Sequence, residues 1–394
     1  MIGWHETTLA ALCKSDGLIQ TGPFGSQLHM SDYTDSGVPV IMPTNIGDGR
    51  VDSSAIMRTS DEKARSLSRH MVRPGDIVYS RRGDITKRAL IRDGESGWLC
   101  GTGCLLVRPS NHVNPRWLSY WLAQPDTHRW LLNHAVGATM LNLNTGILSQ
   151  VPVSLPPQEE QERIAGVLAA FDDLIEVNRL LSRDLLSLLF AKYEALAEGR
   201  PMTSFGNVAH LVRDQWKPGN EGPSRYLGLE HFATEGAGIA GVGDVASVQS
   251  VSLRFRPGDV LYGKLRPYFR KLARPGFAGL CSSEIWVLRA RDEYPQSLVH
   301  ALAHAASFSE AASAGSTGTR MPRADWKHIS TLPVPDLPLS EVSAEVLAGL
   351  ESLWSAACDL DDENDDLARQ RDELLPLLMS GRVRVRDREA VAWS

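Results

Sequence analysis

The chain has 394 residues, 43% of them hydrophobic and 22% charged, with 33 Gly and 22 Pro; this composition excludes a disordered or fibrous protein, and the length exceeds one small domain. Forty-one Lys and Arg against 47 Asp and Glu leave a net charge of −6, which argues against a uniformly basic nucleic-acid binder. Five cysteines without a C-x-x-C pair argue against a disulfide framework or zinc ribbon and for reduced, buried thiols. The opening MIGWHETTLAAL lacks the basic and apolar regions of a secretory signal. The longest stretch without Lys, Arg, Asp or Glu, residues 130–158, holds Asn133, His134, Asn142, Asn144 and three prolines. No membrane helix is therefore expected, and the expected location is cytoplasmic.

In chain order, the first candidate loop is Gly22-Pro-Phe-Gly-Ser26-Gln27, whose polar groups suit base edges or phosphates. Next comes Arg73-Pro-Gly-Asp-Ile-Val-Tyr79, a turn feeding a strand, and then the densest positive segment of this half, with Arg81, Arg82, Lys87, Arg88 and Arg92. A second strand is expected over 99–108, followed by a Gly/Thr/Asn-rich loop from Gly137 that ends in Pro152-Val153. Beyond LPPQEEQ the pattern changes to a long helix over about 167–196. Its apolar seam is Val167, Phe171, Leu174, Asn178, Leu181, Leu185, Leu188 and Lys192, spaced alternately four and three.

The second half repeats this order. Arg256-Pro-Gly-Asp-Val-Leu-Tyr262 returns 183 residues after its first copy, and the basic segment follows with Lys264, Arg266, Arg270, Lys271 and Arg274, interleaved with Tyr268 and Phe269. A strand over 280–289, a loop from Gly315 carrying Thr319 and Arg320, and a second exit through Pro333-Val334 complete the block. The second helix seam runs Leu353, Ala357, Leu360, Asn364, Leu367, Arg371, Leu374 and Leu378, and a shift of 186 places Asn178 on Asn364. An Asn on an apolar seam costs stability but fixes register, so Asn178 and Asn364 are expected to pair.

Charge by segment follows the same division. Residues 1–150 carry a net +2 and 205–338 a net +3, whereas 151–204 carry −4 and 339–394 carry −7. Phosphates would be repelled by the helices, so DNA contact is expected on the blocks. There Lys and Arg neutralise phosphates, Arg can fork onto guanine, and Tyr268 or Phe269 can touch a sugar or a thymine methyl. The candidate DNA-binding residues are Ser26, Gln27, Arg81, Arg82, Lys87, Arg88, Lys264, Arg266, Arg270, Lys271, Thr319 and Arg320.

Other motifs fail on chemistry. Gly258 to Lys264 has the spacing of a phosphate loop, but Leu265 stands where a magnesium-binding Ser or Thr is needed. Gly236-Ala-Gly238-Ile-Ala-Gly241 leads into a strand-like stretch rather than the helix a dinucleotide requires. His300 and His304 lack the following Glu of a zinc protease, and Cys100 with Cys104 has no second ligand pair. No catalytic residue, cofactor site or metal site is expected.

These features together resemble the specificity subunit of a Type I restriction-modification system. The residues that carry the likeness are GPFGSQLHMSDYTDSGVPVI from Gly22, RPGDIVYSRRGD from Arg73, LSQVPVSLPPQEEQERIAGVLAAFDDLIEVNR from Leu148, MPRADWKHISTLPVP from Met321 and LLPLLMSGRVRV from Leu374. The resemblance implies an α+β protein with two mixed α/β target-recognition domains separated by two long helices that form an antiparallel coiled coil. On this sequence that gives a first recognition domain over 1–155, a first spacer helix region over 156–204, a second recognition domain over 205–338, and a second spacer helix with its tail over 339–394.

Each domain would read one half of a bipartite DNA site, and a helix of about 45 Å would set the spacing. The resemblance further implies two methyltransferase subunits that bind S-adenosylmethionine, and restriction subunits that bind ATP and Mg, with no catalysis or cofactor in this chain. The competing expectations are a protein-interaction scaffold without DNA reading and a self-contained nuclease. The second half departs from the family pattern, having no copy of the GPFGS entry near Gly206 and no Glu-Gln run before its helix.

Overall fold

A computed structural model describes residues 3–53, 55–137, 141–233, 238–318 and 321–385. It divides into two compact units, residues 1–173 with 367–394 and residues 174–366. The division passes through both long helices, so each unit holds one α/β block and a part of each helix.

In the first unit, the strand His5–Thr8 pairs antiparallel with Pro152–Leu155, joining the block's entry to its exit. A five-stranded sheet follows the order Leu18–Thr21, Cys104–Arg108, Ile77–Ser80, Arg88–Leu90, Asp48–Gly49. A second sheet contains Tyr33–Thr34, Met57–Thr59, Val38–Ile41 and Leu99–Cys100. The single strand expected over 99–108 is therefore two strands in different sheets. The break falls at Gly101-Thr-Gly103, where Gly103 takes φ +84, a conformation that an L side chain rarely adopts.

Alternation along the central strands feeds two cores. Ile77, Tyr79, Leu105 and Val107 pack with Trp117, Leu118, Ile164 and Leu168 on the helical face, while Val78, Cys104 and Leu106 pack with Ile41 and Ile46 on the other. Burial on both faces explains why these strands read as nearly continuous apolar runs.

The second unit repeats the arrangement. Met202–Ser204 pairs with Pro333–Pro335, and a four-stranded sheet runs Ala209–Val212, Ile285–Ala290, Val260–Gly263, Leu272–Ala273. Val260, Tyr262, Trp286 and Leu288 face one core, whereas Leu261, Ile285 and Val287 face the other. Here too the second strand is split, into Gly279–Ser282 and Ile285–Ala290.

The RPGD copies owe their recurrence to one carboxylate. Asp76 accepts the Arg73 N–H at 2.8 Å and a fork from Arg108, with Nε at 2.7 Å and Nη2 at 2.6 Å. Asp259 accepts the Arg256 N–H at 2.8 Å and both prongs of Arg289 at 2.7 Å. Gly75 and Gly258 supply the positive φ of the turn. Each motif thus ties the start of one strand to the end of its neighbour, and it is structural rather than a DNA contact.

The first long helix spans Gln158–Ala197 and the second Ala344–Met379, each extending beyond its expected seam. The Pro-Pro-x-x-Glu-Gln run sets the start of the first helix. Gln161 is buried, donates Nε2–H to the Pro156 carbonyl at 2.9 Å and accepts the Asn114 N–H through Oε1 at 2.8 Å.

The two helices run antiparallel in both units. Asp172 accepts Arg371 Nη1–H at 2.7 Å in the first unit. In the second, Asn178 meets Glu363 and Ser182 meets the Ala357 carbonyl. The packed face of the first helix includes Ile164, Leu168, Ile175, Asn178, Ser182, Leu189 and Tyr193, whereas Leu174, Leu181 and Leu188 are exposed. The expected seam is thus one residue out on either side of Asn178, because two apolar stripes lie next to each other and Ser182 interrupts the buried one.

The expected Asn178–Asn364 pair is replaced. Asn178 Nδ2–H donates to Glu363 Oε2 at 3.0 Å, and the buried Asn364 Oδ1 has no partner among the described residues. The antiparallel offset places residue 363, one position earlier, opposite the Asn178 amide. All five cysteines are unbridged; four are buried and Cys358 is half-buried. Among the described residues no helix is long and apolar enough to cross a membrane, and no cluster of His, Cys, Asp and Glu has metal-site geometry.

Candidate nucleic-acid interface

In the first unit, the strands Leu18–Thr21 and Ile77–Ser80 flank Cys104–Arg108, and both finish opposite its beginning. The loops that follow them therefore leave the same end of the sheet. Gly22 N–H binds the Cys104 carbonyl at 2.9 Å and Arg81 N–H binds the Gly103 carbonyl at 2.8 Å. A side chain at residue 22 would collide with the Gly101 carbonyl oxygen, so that loop must begin with glycine.

Ser26 and Gln27 are exposed on a turn closed by Gln27 N–H to the Phe24 carbonyl and by Phe24 N–H to Gln27 Oε1, with Leu28 buried as its anchor. In the neighbouring loop Arg82 and Lys87 are exposed around the buried Ile85. A hairpin contact lies beside it: Val136 and Asn142 exchange backbone bonds, Asn142 also bridges to Arg82, and Arg81 Nε–H donates to Asn142 Oδ1 at 3.2 Å.

Arg88 departs from expectation. Strand alternation turns it inward, where it is only 5% exposed and its Nε–H donates to the Ser119 carbonyl at 2.7 Å. It lines a cavity of about 290 Å³ together with Arg50, Arg92, Tyr120, Asp172 and Arg371. There Tyr120 donates to Asp172 Oδ2, and burial beside that carboxylate pushes its phenol well above the ordinary value. Arg88 therefore leaves the candidate DNA set.

In the second unit, Ala209–Val212 and Val260–Gly263 flank Ile285–Ala290 in the same way. The exits of both strands, at Arg213 and Lys264, line a groove of about 340 Å³ with Ser283, Arg323, Asp325 and Trp326. Lys264 and Arg266 are half-buried, and Tyr268 and Phe269 are exposed with ring centroids 4.7 Å apart.

Two expected contacts are spent inside the block: Arg270 Nη2–H donates to the His304 carbonyl at 2.6 Å and Lys271 Nζ–H to the Leu229 carbonyl at 2.5 Å. Both acceptors lie more than 30 residues away in sequence, so the positive run alone could not reveal them. Thr319 and Arg320 lie outside the described residues. Arg213 and Arg323, which the sequence analysis missed, are exposed here. A shift of 181 places the uncharged Asn142 on Arg323, so nothing in the first block's charge pattern marks the latter.

The backbone bonds match one for one, the strand exits being shifted by 183 and the segments facing them by 181. Thr317 and Arg323 exchange backbone bonds as Val136 and Asn142 do, and Arg323 bridges to Leu265 as Asn142 does to Arg82. Ala324 N–H binds the Lys264 carbonyl where Leu143 N–H binds that of Arg81. Lys264 N–H binds the Glu284 carbonyl where Arg81 N–H binds that of Gly103. The two blocks thus build one loop-bearing edge from the same backbone connections.

Comparison with known proteins agrees with this duplicated architecture. The family model of the Type I restriction modification DNA specificity domain matches residues 32–185. The chain is 29% identical over 294 residues to the Type I restriction enzyme EcoDI specificity subunit of Escherichia coli, covering 64% of this chain and 65% of that protein. It is 27% identical over 190 residues to the EcoBI specificity subunit of the same species, covering 46% and 38%. The matches thus span 38% to 65% of the length of these relatives. A crystal structure of a Type-I restriction-modification system S subunit from M. genitalium shares the fold at 16% identity, with a TM-score of 0.50 over 96% of each chain. Residues 32–185 thus match a DNA specificity domain, and over 64% of its length the chain is similar to a specificity subunit of a Type I restriction enzyme.

Proposed function

We propose that this chain is the sequence-reading subunit of a Type I restriction-modification complex, each block reading one half of a bipartite DNA site. The observation that carries the reading is the duplicated edge, on which Arg82 and Lys87 in one block and Arg213 in the other are exposed, with Lys264 lining the groove at the strand exits. Such cations neutralise phosphates and position base-reading side chains in a groove.

The helices serve a different purpose. Their acidity repels DNA, and Leu174, Val177, Leu181 and Leu188 expose an apolar stripe on the first helix, as expected of a surface that docks methyltransferase subunits. Helix length sets the half-site spacing. The chain itself is non-catalytic and works in the cytoplasm; S-adenosylmethionine belongs to the methyltransferase subunits, and ATP and Mg to the restriction subunits.

The test is adenine-methylation mapping of DNA from cells expressing the chain with its methyltransferase partner, against a control without the chain. A split motif methylated only when the chain is present is the expected result. Assembled complex that gives no chain-dependent methylation would leave the protein a scaffold without DNA reading.

A further inference from the structure

We infer that each block reads one guanine of its half-site with a single arginine held from behind, Arg81 in the first block and Arg323 in the second. This rests on the DNA-reading role proposed above. Arg81 Nε–H is fixed by Asn142 Oδ1 at 3.2 Å. Arg323 is fixed by Glu284, with Nε–H to Oε2 at 2.9 Å and Nη2–H to Oε1 at 3.3 Å. These bonds engage the Nε side of each guanidinium. Nη1 has no partner among the described residues in either arginine, and in Arg323 one hydrogen of Nη2 goes to Glu284 while the other stays beside Nη1; the two outward N–H groups, one on each Nη, are parallel and at the spacing of guanine O6 and N7.

In the second block arginine and acceptor have exchanged places. Residue 103 is a glycine at positive φ and offers no side chain, so in the first block the acceptor comes from the hairpin and the arginine from the strand exit. At the equivalent position the second block has Glu284, and its arginine comes from the hairpin. That a held arginine survives this exchange, when neither residue of the pair is repeated, points to the arginine fork as what the edge is built to present.

The neighbouring cations do not compete for the role. Arg270 is turned to a carbonyl inside its block, Lys264 cannot make a planar fork, and the exposed Arg82 would lose more side-chain freedom on binding. A buttressed fork has already lost that freedom in the fold.

Methylated motifs are mapped for the complex containing the wild-type chain, Arg81→Lys, Arg323→Lys and Glu284→Gln. The Lys variants keep the charge and lose the fork, and an unchanged melting temperature checks their fold. The expected wild-type motif has a guanine in each half. Arg81→Lys relaxes one base of one half-site and Arg323→Lys one base of the other, each losing about 10- to 100-fold of its guanine preference, with Glu284→Gln relaxing the same base as Arg323→Lys to a smaller degree.

Retention of every base in both Lys variants, or a wild-type half-site without guanine, overturns the inference while leaving the DNA-reading role standing. So does a uniform loss of methylation across all sites, the mark of a phosphate contact. A wild-type complex that methylates no split site overturns the role and the inference together.

Discussion

In the first block Asp76 receives Arg108 and caps the Arg73 turn; in the second Asp259 receives Arg289 and caps the Arg256 turn, with nearly the same distances. At the loop edge above these pairs little is repeated but the backbone: Arg81 answers to Lys264, Arg82 to Leu265, Gly103 to Glu284 and Asn142 to Arg323. A duplicated skeleton with substituted tips is what a protein needs if two blocks must keep one shape and read different sequences. Residues shared by the blocks should therefore govern stability, and residues that differ should govern recognition.

The sharpest way to break that division is to remove the shared carboxylates. Asp76 is 1% and Asp259 3% exposed, and loss of the carboxylate leaves a half-buried arginine uncompensated. Asp76→Ala and Asp259→Ala should each cost about 3–5 kcal/mol, measured by denaturant unfolding of the full chain. A cost under about 1 kcal/mol for either would show that the two pairs are not equivalent anchors.

A smaller effect comes from pH and is expected chiefly in the second unit, which holds two such histidines against one in the first. His300 and His304 of the second unit pack against Phe190, the former edge-on and the latter stacked. Burial drives the His304 pKa down to about 4, helped by Arg270, and burial also holds His300 well below its ordinary value, helped by Arg274. A histidine that resists protonation in the fold costs nothing above about pH 6.5; between there and pH 4 the unfolded chain binds the proton first, so stability falls with falling pH. His70 is the buried counterpart in the first unit, and its pKa is lowered by burial and Arg69. Urea midpoints taken from pH 7 to 4.5 should therefore fall for the wild type, and the fall should be reduced in His304→Phe.

The smallest effect distinguishes neighbours in one charged segment. Arg82→Ala should leave the melting temperature unchanged, weaken DNA binding by the assembled complex severalfold at all sites and lower the salt slope by about one. Arg88→Ala should instead lower the melting temperature and leave the slope unaltered. Equal salt slopes in the two variants would remove the distinction between outward and inward arginines.

The repeat was legible in the sequence because its anchors are local: RPGD and the strand after it recur as contiguous residues. Both long helices were legible from periodicity, but their contact face was not. Leu174 and Ile175, like Leu188 and Leu189, are adjacent apolar pairs, and the buried Ser182, bonded to the Ala357 carbonyl, hides the true stripe. At the candidate interface the sequence located the charged segments without telling which side chains turn inward. For Arg88, Arg270 and Lys271 that is decided by carbonyls of Ser119, His304 and Leu229, which only folding brings within reach. Arg323 was hidden because its counterpart, Asn142, carries no charge.

The strands that close each block, His5–Thr8 on Pro152–Leu155 and Met202–Ser204 on Pro333–Pro335, bring the first and last residues of that block side by side. A segment whose two ends are already hydrogen-bonded to each other behaves as a cassette. Its closure depends on its own two strands, so if each block reads one half-site, as proposed, exchanging one cassette at its clasp should change that half alone.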